Sequence, residues 1–196
     1  MGRPAGYELS EVVSAARDVF WDRGLDGTSL PDLERATGLS RSSIYHAFGS
    51  KRGLFDAAVR DYLDTVVRPR LAVLVDEPVA PDAVRSYLRG LTQAVETLPD
   101  DSPRRGCLLF ACATSAGHDP ALADVIEDYR AELTGSFAVA LSARYPAASL
   151  ARLARRARQL TSMTVAGLVL AKINRDEAVA TLRAGLEQIN EWDQDD

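Results

Sequence analysis

The 196-residue sequence is poor in features on which several classes of protein depend. No apolar run approaches the roughly 20 residues that a membrane-spanning helix needs, and the opening MGRPAGYELSEVV lacks the apolar core of a signal peptide. We therefore expect a cytoplasmic protein. Two cysteines are too few for a disulfide framework in a chain of this size, and no segment alternates between apolar and polar residues as strands do. The sequence therefore predicts an all-α fold.

Sequence motifs for catalysis are missing as well. There is no Gly-x-Ser-x-Gly nucleophile elbow and no glycine-rich loop that would cradle a phosphate. The two histidines, His46 and His118, are far apart in the chain. His118 precedes Asp119, but no second His or Glu lies nearby, so a helix-capping Asp119 explains this pair better than a metal site. We expect no enzyme activity, no metal and no cofactor.

One short stretch, LPDLERATGLSRSSIYHAFGSK over residues 30–51, carries the strongest local pattern. Ser29 precedes an apolar-periodic run and is suited to cap a helix that begins near residue 30. Gly38 predicts the end of that helix, because glycine adopts the left-handed conformation without steric cost. Ser40 and Ser50 repeat the capping signal. The stretch therefore predicts two short helices, the second ending near residue 48, and the start of a third.

The second short helix has two distinct faces when its residues are placed about 100° apart. We expect an inward face of Ile44, Ala47 and Phe48, packed on Leu33, Ala36 and Leu39. The remaining positions are polar, namely Arg41, Ser42, Ser43, Tyr45 and His46. Small polar groups, a Tyr and a His on the outer face of a helix are suited to the major groove of DNA. Residues 35–55 contain four basic side chains and no acidic one, although the chain has a net charge of −5, which favours phosphate binding at this patch.

These residues resemble the DNA-binding domain of the TetR family of bacterial transcriptional regulators. The resemblance covers roughly residues 8–56, and its motifs are Thr28-Ser29, Thr37-Gly38-Leu39-Ser40, Ile44 to Lys51 and Leu54-Phe55. It implies phosphate contacts from Thr28, Ser29, Tyr45 and Lys51. It also implies base or sugar contacts from Arg41, Ser42, Ser43 and His46, above a core of Phe20, Leu33, Ile44 and Phe48. Ala47 departs from the family pattern, which often has a larger residue there, and we expect this to alter packing rather than DNA contact.

The rest of the chain predicts a connecting helix and a second helical domain. A first helix over residues 8–23 completes a three-helix domain, residues 1–56, preceded by an arm whose Arg3 either contacts DNA or belongs to a disordered tail. The helical pattern that starts at Lys51 continues to Val75, and Pro69 within it predicts a kink. After a proline-containing linker at 76–82, helices are predicted at 83–98, 107–116, 120–146, 150–173 and 177–189, within a second domain of residues 57–196.

The last two predicted helices carry small residues among leucines, which permits close helix packing. Such helices can pair with their symmetry mates as a four-helix bundle, and the TetR resemblance implies the same dimer interface. The candidate interface residues are Gly167, Leu170, Leu182, Gly185, Leu186 and Ile189. The alternative is that both helices close the core of one protomer. A homodimer with recognition helices about 34–36 Å apart would read a palindromic operator in double-stranded DNA.

The middle helices are expected to enclose a mostly apolar pocket. Its candidate lining residues are Tyr87, Leu91, Phe110, Tyr129, Phe137 and Met163. The resemblance implies a repressor: a small apolar or amphipathic ligand enters this ligand-binding and dimerisation domain, the connecting helix swings, and the recognition helices lose their spacing. The alternatives are an activator, a helical adaptor with a vestigial DNA-binding domain, and a redox or electrophile sensor. A sensor would use Cys107 or Cys112, and Arg104 and Arg105 lie close in sequence to Cys107.

Overall fold

The computed structural model describes residues 9–195, apart from the side chains of Thr114 and Asp195. Over this range every regular element is helical, which confirms the all-α fold. The helices are α1 (Leu9–Gly27), α2 (Leu30–Thr37), α3 (Arg41–Phe48), α4 (Lys51–Tyr62), a π-helical segment (Leu63–Val67), α5 (Arg68–Val75), α6 (Ala83–Thr97), α7 (Leu108–Ala111), α8 (Ala113–Ala116), α9 (Pro120–Arg144), α10 (Leu150–Leu170) and α11 (Arg175–Asp195). The N-terminal arm with Arg3 lies outside the described residues.

Local hydrogen bonds set the boundaries of α2 and α3. The Ser29 hydroxyl accepts a hydrogen bond from the Asp32 N–H at 3.3 Å, and the Asp32 carboxylate accepts one from the Ser29 N–H at 3.1 Å. Gly38 ends α2 with a backbone φ of 70°, a value that residues with a Cβ rarely adopt. The Ser40 hydroxyl then accepts from the Ser43 N–H at 3.2 Å and starts α3. The predicted caps of the helix-turn-helix are confirmed.

Helices α1 to α4 share one apolar core. Its fully buried side chains include Phe20, Leu33, Ile44, Leu54 and Phe55. Phe20 meets Phe55 edge to face, with ring centroids 5.1 Å apart. Two residues predicted to face inward, Ala36 and Ala47, are exposed instead. The buried residue of α2 is Leu33 and that of α3 is Ile44, so only a narrow stripe of each helix reaches the core, and both alanines lie outside it.

The connection from α4 to α5 remains helical through the π-helical segment. Within this segment the hydrogen bonds span five residues, and the Arg68 N–H donates to the Leu63 carbonyl. Pro69, which lacks an N–H, follows as the second residue of α5. A π-helical turn is one of the ways in which a helix accommodates such a defect. The predicted disturbance at Pro69 is therefore absorbed as a widened turn, and one continuous helical connector runs from Lys51 to Val75, the C-terminal end of α5.

The second half of the chain packs as a helical bundle. Helix α5 contacts α6 and α9, while α10 packs on α9 and α11, and α11 also contacts α6. The single helix expected at 107–116 is divided into α7 and α8 at Cys112. Leu108 and Leu109 of α7 are fully buried, and α7 contacts α1, α4 and α10. This short element therefore lies where the two halves of the molecule meet. Each helix within residues 9–195 is too short or too polar to span a lipid bilayer.

Candidate functional site

Helix α3 presents a polar outer face. Arg41, Ser42 and His46 are exposed, and Tyr45 is 42% exposed. The Arg41 guanidinium lies over the Tyr45 ring, 5.6 Å from its centroid. At the start of the helix the Ser42 hydroxyl lies 2.9 Å from that of the capping Ser40. The outer face therefore offers a cation, a phenol, an imidazole and a hydroxyl, the hydrogen-bonding groups with which proteins contact phosphates and base edges.

Burial keeps this face outward. Ile44 and Leu33 are fully buried beneath α3 and α2. The Glu34 carboxylate accepts a 2.6 Å hydrogen bond from the Arg41 N–H and joins α2 to the start of α3. Ser43, also expected to contact DNA, is only partly exposed, and its hydroxyl lies 3.0 Å from that of Ser40. The helix is therefore fixed by its apolar residues and by both of its neighbours.

Two predicted phosphate contacts have a different role. Thr28 is only 2% exposed, and its hydroxyl donates to the Gly24 carbonyl at 2.6 Å. The Lys51 ammonium donates to the carbonyls of Leu25 and Thr28, both at 2.9 Å. The carbonyls at the end of a helix carry partial negative charge, which a lysine satisfies well. The expectation for these two side chains is therefore corrected: they fasten the end of α1 to the start of α4. Ser29 is exposed and remains a candidate contact.

Fewer cations of the predicted basic patch are free of carboxylates than the sequence suggested. Arg35 pairs with Asp32 at 3.1 Å. Arg52 pairs with Asp56 at 2.7 Å and also with Asp119, the cap of α9. Arg41, stacked on an aromatic ring on the outer face of α3, is therefore the principal cation of the surface. The sequence did not show the neutralisation of Arg52, because Asp119 lies 67 residues away in the chain.

A small cavity lies between the connecting helix and α6, α9 and α10. Its volume of about 20 Å³ is enough for roughly one water molecule. It is lined by Tyr62, Val66, Val67, Arg70, Leu71, Tyr87, Leu91, Tyr129 and Leu168. Three predicted pocket residues, Tyr87, Leu91 and Tyr129, are therefore together at one cavity. Two further predicted residues, Phe110 and Phe137, form the layer behind it, with ring centroids 5.2 Å from Tyr129 and 5.4 Å from Tyr87 respectively.

Met163 does not reach this cavity. Its sulfur lies 3.8 Å from where a Cβ on Gly185 would be, so it packs toward α11. The prediction also missed the contribution of the connecting helix, which supplies Tyr62, Val66 and Arg70 to the lining. These residues recur every fourth position and therefore share one helix face. That spacing was the signal in the sequence that would have identified them.

Comparison with known proteins places this site in a family. The family model described as "Bacterial regulatory proteins, tetR family" matches residues 12–58. The uncharacterized HTH-type transcriptional regulator YezE of Bacillus subtilis (strain 168) is 33% identical over 139 residues, which cover 70% of each chain. The chain belongs to the TetR family. TetR-family proteins are transcriptional regulators rather than enzymes, and this chain is a DNA-binding regulator.

Two other comparisons concern repression and operator DNA. The HTH-type transcriptional repressor BdcR of Escherichia coli (strain K12) is 28% identical over 128 residues, covering 65% of this chain and 62% of BdcR. The structure of the TetR family regulator CifR, as a cysteine mutant bound to a 26-base-pair double-strand operator, matches with a TM-score of 0.80 and 30% identity. That match covers 95% of this chain and 98% of the CifR chain.

The helix-turn-helix of this TetR-family protein is joined to the rest of the molecule by aromatic packing. The Trp21 ring of α1 meets the Tyr62 ring edge to face, with centroids 4.7 Å apart. The indole N–H of Trp21 donates to the Gly106 carbonyl at 3.3 Å, and the Tyr62 hydroxyl donates to the Cys107 sulfur at 3.4 Å. Trp21 is 2% exposed and lies at the junction.

Polar contacts reinforce this junction. Asp18 of α1 pairs with Arg104 at 2.7 Å, and Asp26 accepts a 2.6 Å hydrogen bond from the Ser115 hydroxyl. The Lys172 ammonium, just after α10, donates to the carbonyl of Trp21 and to that of Asp22, the latter at 2.9 Å. Several separate segments of the C-terminal half therefore hold α1, so a rearrangement there has a direct path to the helix-turn-helix.

The cysteines lack the environment of a reactive thiol. Cys107 and Cys112 are both buried, and burial raises the pKa of each thiol above its ordinary value. The two arginines close in sequence are directed elsewhere: Arg104 pairs with Asp18, and Arg105 donates to the Ala171 carbonyl. A sensor thiol requires exposure and a lowered pKa. The geometry therefore favours two packing residues, at the ends of a short helix rather than within a longer one.

Most of the predicted dimer residues are buried inside one protomer. Gly167, Leu182, Gly185 and Ile189 are buried. A Cβ on Gly167 would lie 2.8 Å from the Leu182 side chain, and one on Gly185 would lie 3.3 Å from Leu88. The expectation is corrected for these four residues, because the small side chains bring α10 close to α11 and α11 close to α6. Leu170 and Leu186 are partly exposed and remain candidates for an interface.

Proposed function

We propose that this protein is a transcriptional repressor that binds a palindromic operator as a homodimer and is released when a small molecule enters the cavity beside the connecting helix. The observation that carries the proposal is the exposed polar face of α3, fixed by fully buried Ile44. The repressor BdcR and the operator-bound CifR, both similar to this chain, support the direction of regulation and the kind of DNA.

On the DNA, each residue of α3 takes a role that follows from its position. Ser42 and His46 are four residues apart and share the exposed face, so both are directed at base edges. Arg41, at the start of the helix, is placed to contact a base edge or a nearby sugar, and Tyr45 contacts a phosphate. Ser29 adds a phosphate contact from the start of α2. Ser43, partly exposed, makes a smaller contribution.

The proposed dimer uses the outer face of α10. Ala166 is exposed, Val169 is 42% exposed and Ile173, just after the helix, is 75% exposed. These positions follow the spacing of one helix face. Clustered exposed apolar residues are typical of an interface between protein chains, and a second copy supplies the same surface across a two-fold axis. A two-fold dimer also places two α3 helices on successive major grooves.

Release follows from the place of the cavity. The connecting helix lines the cavity, and its first part, α4, packs on α1 and α3. Tyr62 lies at the cavity and contacts Trp21 of α1. A ligand larger than the cavity must move the connecting helix, and this movement is passed to α1. To shift an operator-bound population strongly, the ligand must prefer the displaced state by several kcal/mol, about 5.5 for a change from 1:99 to 99:1.

The DNA-binding part of the proposal is tested with the DNA upstream of the protein's own gene. Fluorescence anisotropy measures the affinity of the wild type, of His46→Ala and of the matched control His118→Ala, whose histidine is exposed outside the helix-turn-helix. We expect His46→Ala to weaken binding about tenfold, since a good base contact is worth ~1–3 kcal/mol, and His118→Ala to match the wild type. Equal affinities for all three proteins would count against operator recognition through α3.

The dimer is tested by sedimentation equilibrium. Val169→Glu introduces a charge on the outer face of α10, and Val73→Glu does the same on α5 at an equal 42% exposure. We expect Val169→Glu to be monomeric and to bind a full operator far more weakly, while Val73→Glu remains dimeric. A dimeric Val169→Glu protein would show that the second copy binds elsewhere.

A further inference from the structure

The hydroxyl groups of the cavity lack protein partners. Tyr87 and Tyr129 are only 7% and 4% exposed, and neither hydroxyl has a hydrogen-bond partner among the described side chains and backbone of residues 9–195, although neither oxygen is completely enclosed. The third tyrosine of the cavity, Tyr62, donates its hydroxyl hydrogen to the Cys107 sulfur. Hydroxyls of buried tyrosines are normally hydrogen-bonded, so these two, in side chains that line a cavity, are available to donate to a ligand or a water.

Arg70 gives the cavity its charge. Among the nine lining residues it is the one charged side chain. It forms no ion pair with a carboxylate of residues 9–195, whereas its neighbour Arg68 pairs with Asp64 and, at 3.5 Å, with Glu132. Arg70 is exposed, so its guanidinium lies at the solvent side of the cavity, where a cation without a paired carboxylate attracts an anion.

The tyrosines remain donors at any physiological pH. Burial raises the pKa of Tyr87 and Tyr129 well above the ordinary value of 10, although the nearby Arg70 guanidinium acts in the opposite direction. The cavity therefore combines a guanidinium with two available O–H donors. A carboxylate accepts hydrogen bonds only, at two oxygens, and pairs with arginine in a bidentate arrangement. The other lining residues, Val66, Val67, Leu71, Leu91 and Leu168, are aliphatic.

We infer that the effector of this regulator is a small monocarboxylic acid, whose carboxylate binds Arg70 and the hydroxyls of Tyr87 and Tyr129 while its hydrocarbon part lies among the aliphatic residues. The inference rests on the proposed function, because it names the class of ligand for that cavity. Since the cavity has a volume of about 20 Å³, the hydrocarbon part must push the walls apart. Five of the nine lining residues belong to the connecting helix, so this helix moves when the acid binds.

Calorimetry with the full-length protein tests the ligand class. Sodium propionate and sodium benzoate are the probes, and propionamide and benzamide are neutral controls of the same shape. We expect at least one acid to bind with a stoichiometry of one per protomer and its amide to bind at least tenfold more weakly. The loss of a hydrogen bond to a charged group corresponds to about this factor.

Three variants assign the contacts. Arg70→Gln and Tyr129→Phe should each weaken binding of the acid about tenfold or more, and Tyr129→Phe keeps the ring that packs against Phe110. Arg89→Gln removes the same charge from an exposed position on α6 and should bind as the wild type does. If neither acid binds, if an amide binds as tightly as its acid, or if Arg70→Gln binds unchanged, the inference is wrong.

Operator binding separates this inference from the proposed function. Without acid, the wild type, Arg70→Gln and Tyr129→Phe should bind the operator with equal affinity, and the acid should release only the wild type at concentrations near its Kd. Operator binding that is intact but not accompanied by binding of an acid overturns the ligand class and leaves the DNA-binding function standing. Binding of an acid by a protein that recognises no operator overturns the proposed function alone.

Discussion

The approach of α3 to α4 gives the sharpest prediction, at Gly53. A Cβ added to this residue would lie 2.0 Å from the Phe48 carbonyl oxygen and 3.2 Å from the Phe48 carbonyl carbon. Both are backbone atoms at the end of the recognition helix, so no side-chain rotation relieves the overlap. Ordinary van der Waals contact begins near 3.4 Å, so Gly53→Ala requires the two helices to separate by more than 1 Å.

The cost of this separation is considerable. Overpacking a core typically destabilises a protein by ~1–3 kcal/mol, and a rigid backbone contact belongs at the upper end, about 3 kcal/mol. In a chain of this size the melting temperature falls by about 2–4 °C for each kcal/mol, so we expect a decrease of roughly 6–12 °C. Hydrogen bonds weaken over a few tenths of an ångström, so a shift of α3 by about 1 Å should lower operator affinity at least tenfold.

Gly90→Ala is the matched control. Gly90 is an exposed residue within α6, and a Cβ there would have no neighbour within 4 Å. Alanine favours the helix by about 0.4–1 kcal/mol, so this variant should melt at a slightly higher temperature and bind the operator normally. Circular dichroism and anisotropy measure both effects. If Gly53→Ala proves as stable and as active as Gly90→Ala, α3 and α4 do not meet as described.

Three further predictions concern single groups. Arg41→Ala should cost about 1–3 kcal/mol of operator affinity and relax specificity at the contacted base pair, which affinities for single-base operator variants measure. The capping Ser29 holds the pKa of Asp32 at about 2, below its ordinary 3.8, so its stabilisation is complete above pH ~4 and is lost as the pH falls toward 2. Over that window the melting temperature of the wild type should fall more steeply than that of Asp32→Asn. Cys107 and Cys112 should react with a thiol reagent such as DTNB only after unfolding in guanidinium, and rapid labelling of the native protein would contradict their burial.

The helix-turn-helix could be predicted residue by residue because its determinants are local. The capping contacts of Ser29 and Ser40 join groups three residues apart, and the end of α2 depends on one glycine, Gly38. Such interactions depend on residue type and spacing alone. The outer face of α3 was predicted equally well at Arg41 and Ser42, which are exposed. The assignment of the chain to an all-α fold followed from the same helical periodicity.

The positions of the side chains in the C-terminal half were less predictable. The sequence identified Tyr87 and Tyr129 as neighbours of a pocket but not Arg70, because a periodic pattern shows that a helix face is apolar and not which other helix covers it. Gly167 and Gly185 illustrate the same limit. Their small size indicated close packing, and only the fold shows that the close neighbours are Leu182 and Leu88 of the same protomer.

The sequence by itself therefore determined α2 and α3, their caps and, through helical periodicity, the polar outer face of α3. These features depend on residues that are close together in the chain. Tertiary structure decided that Thr28 and Lys51 point inward, that Arg52 pairs with Asp119, and that Arg70 lies beside buried tyrosines. The physical reason is that the free energy of these contacts depends on groups far apart in the chain, whose proximity exists only after the two halves have packed together.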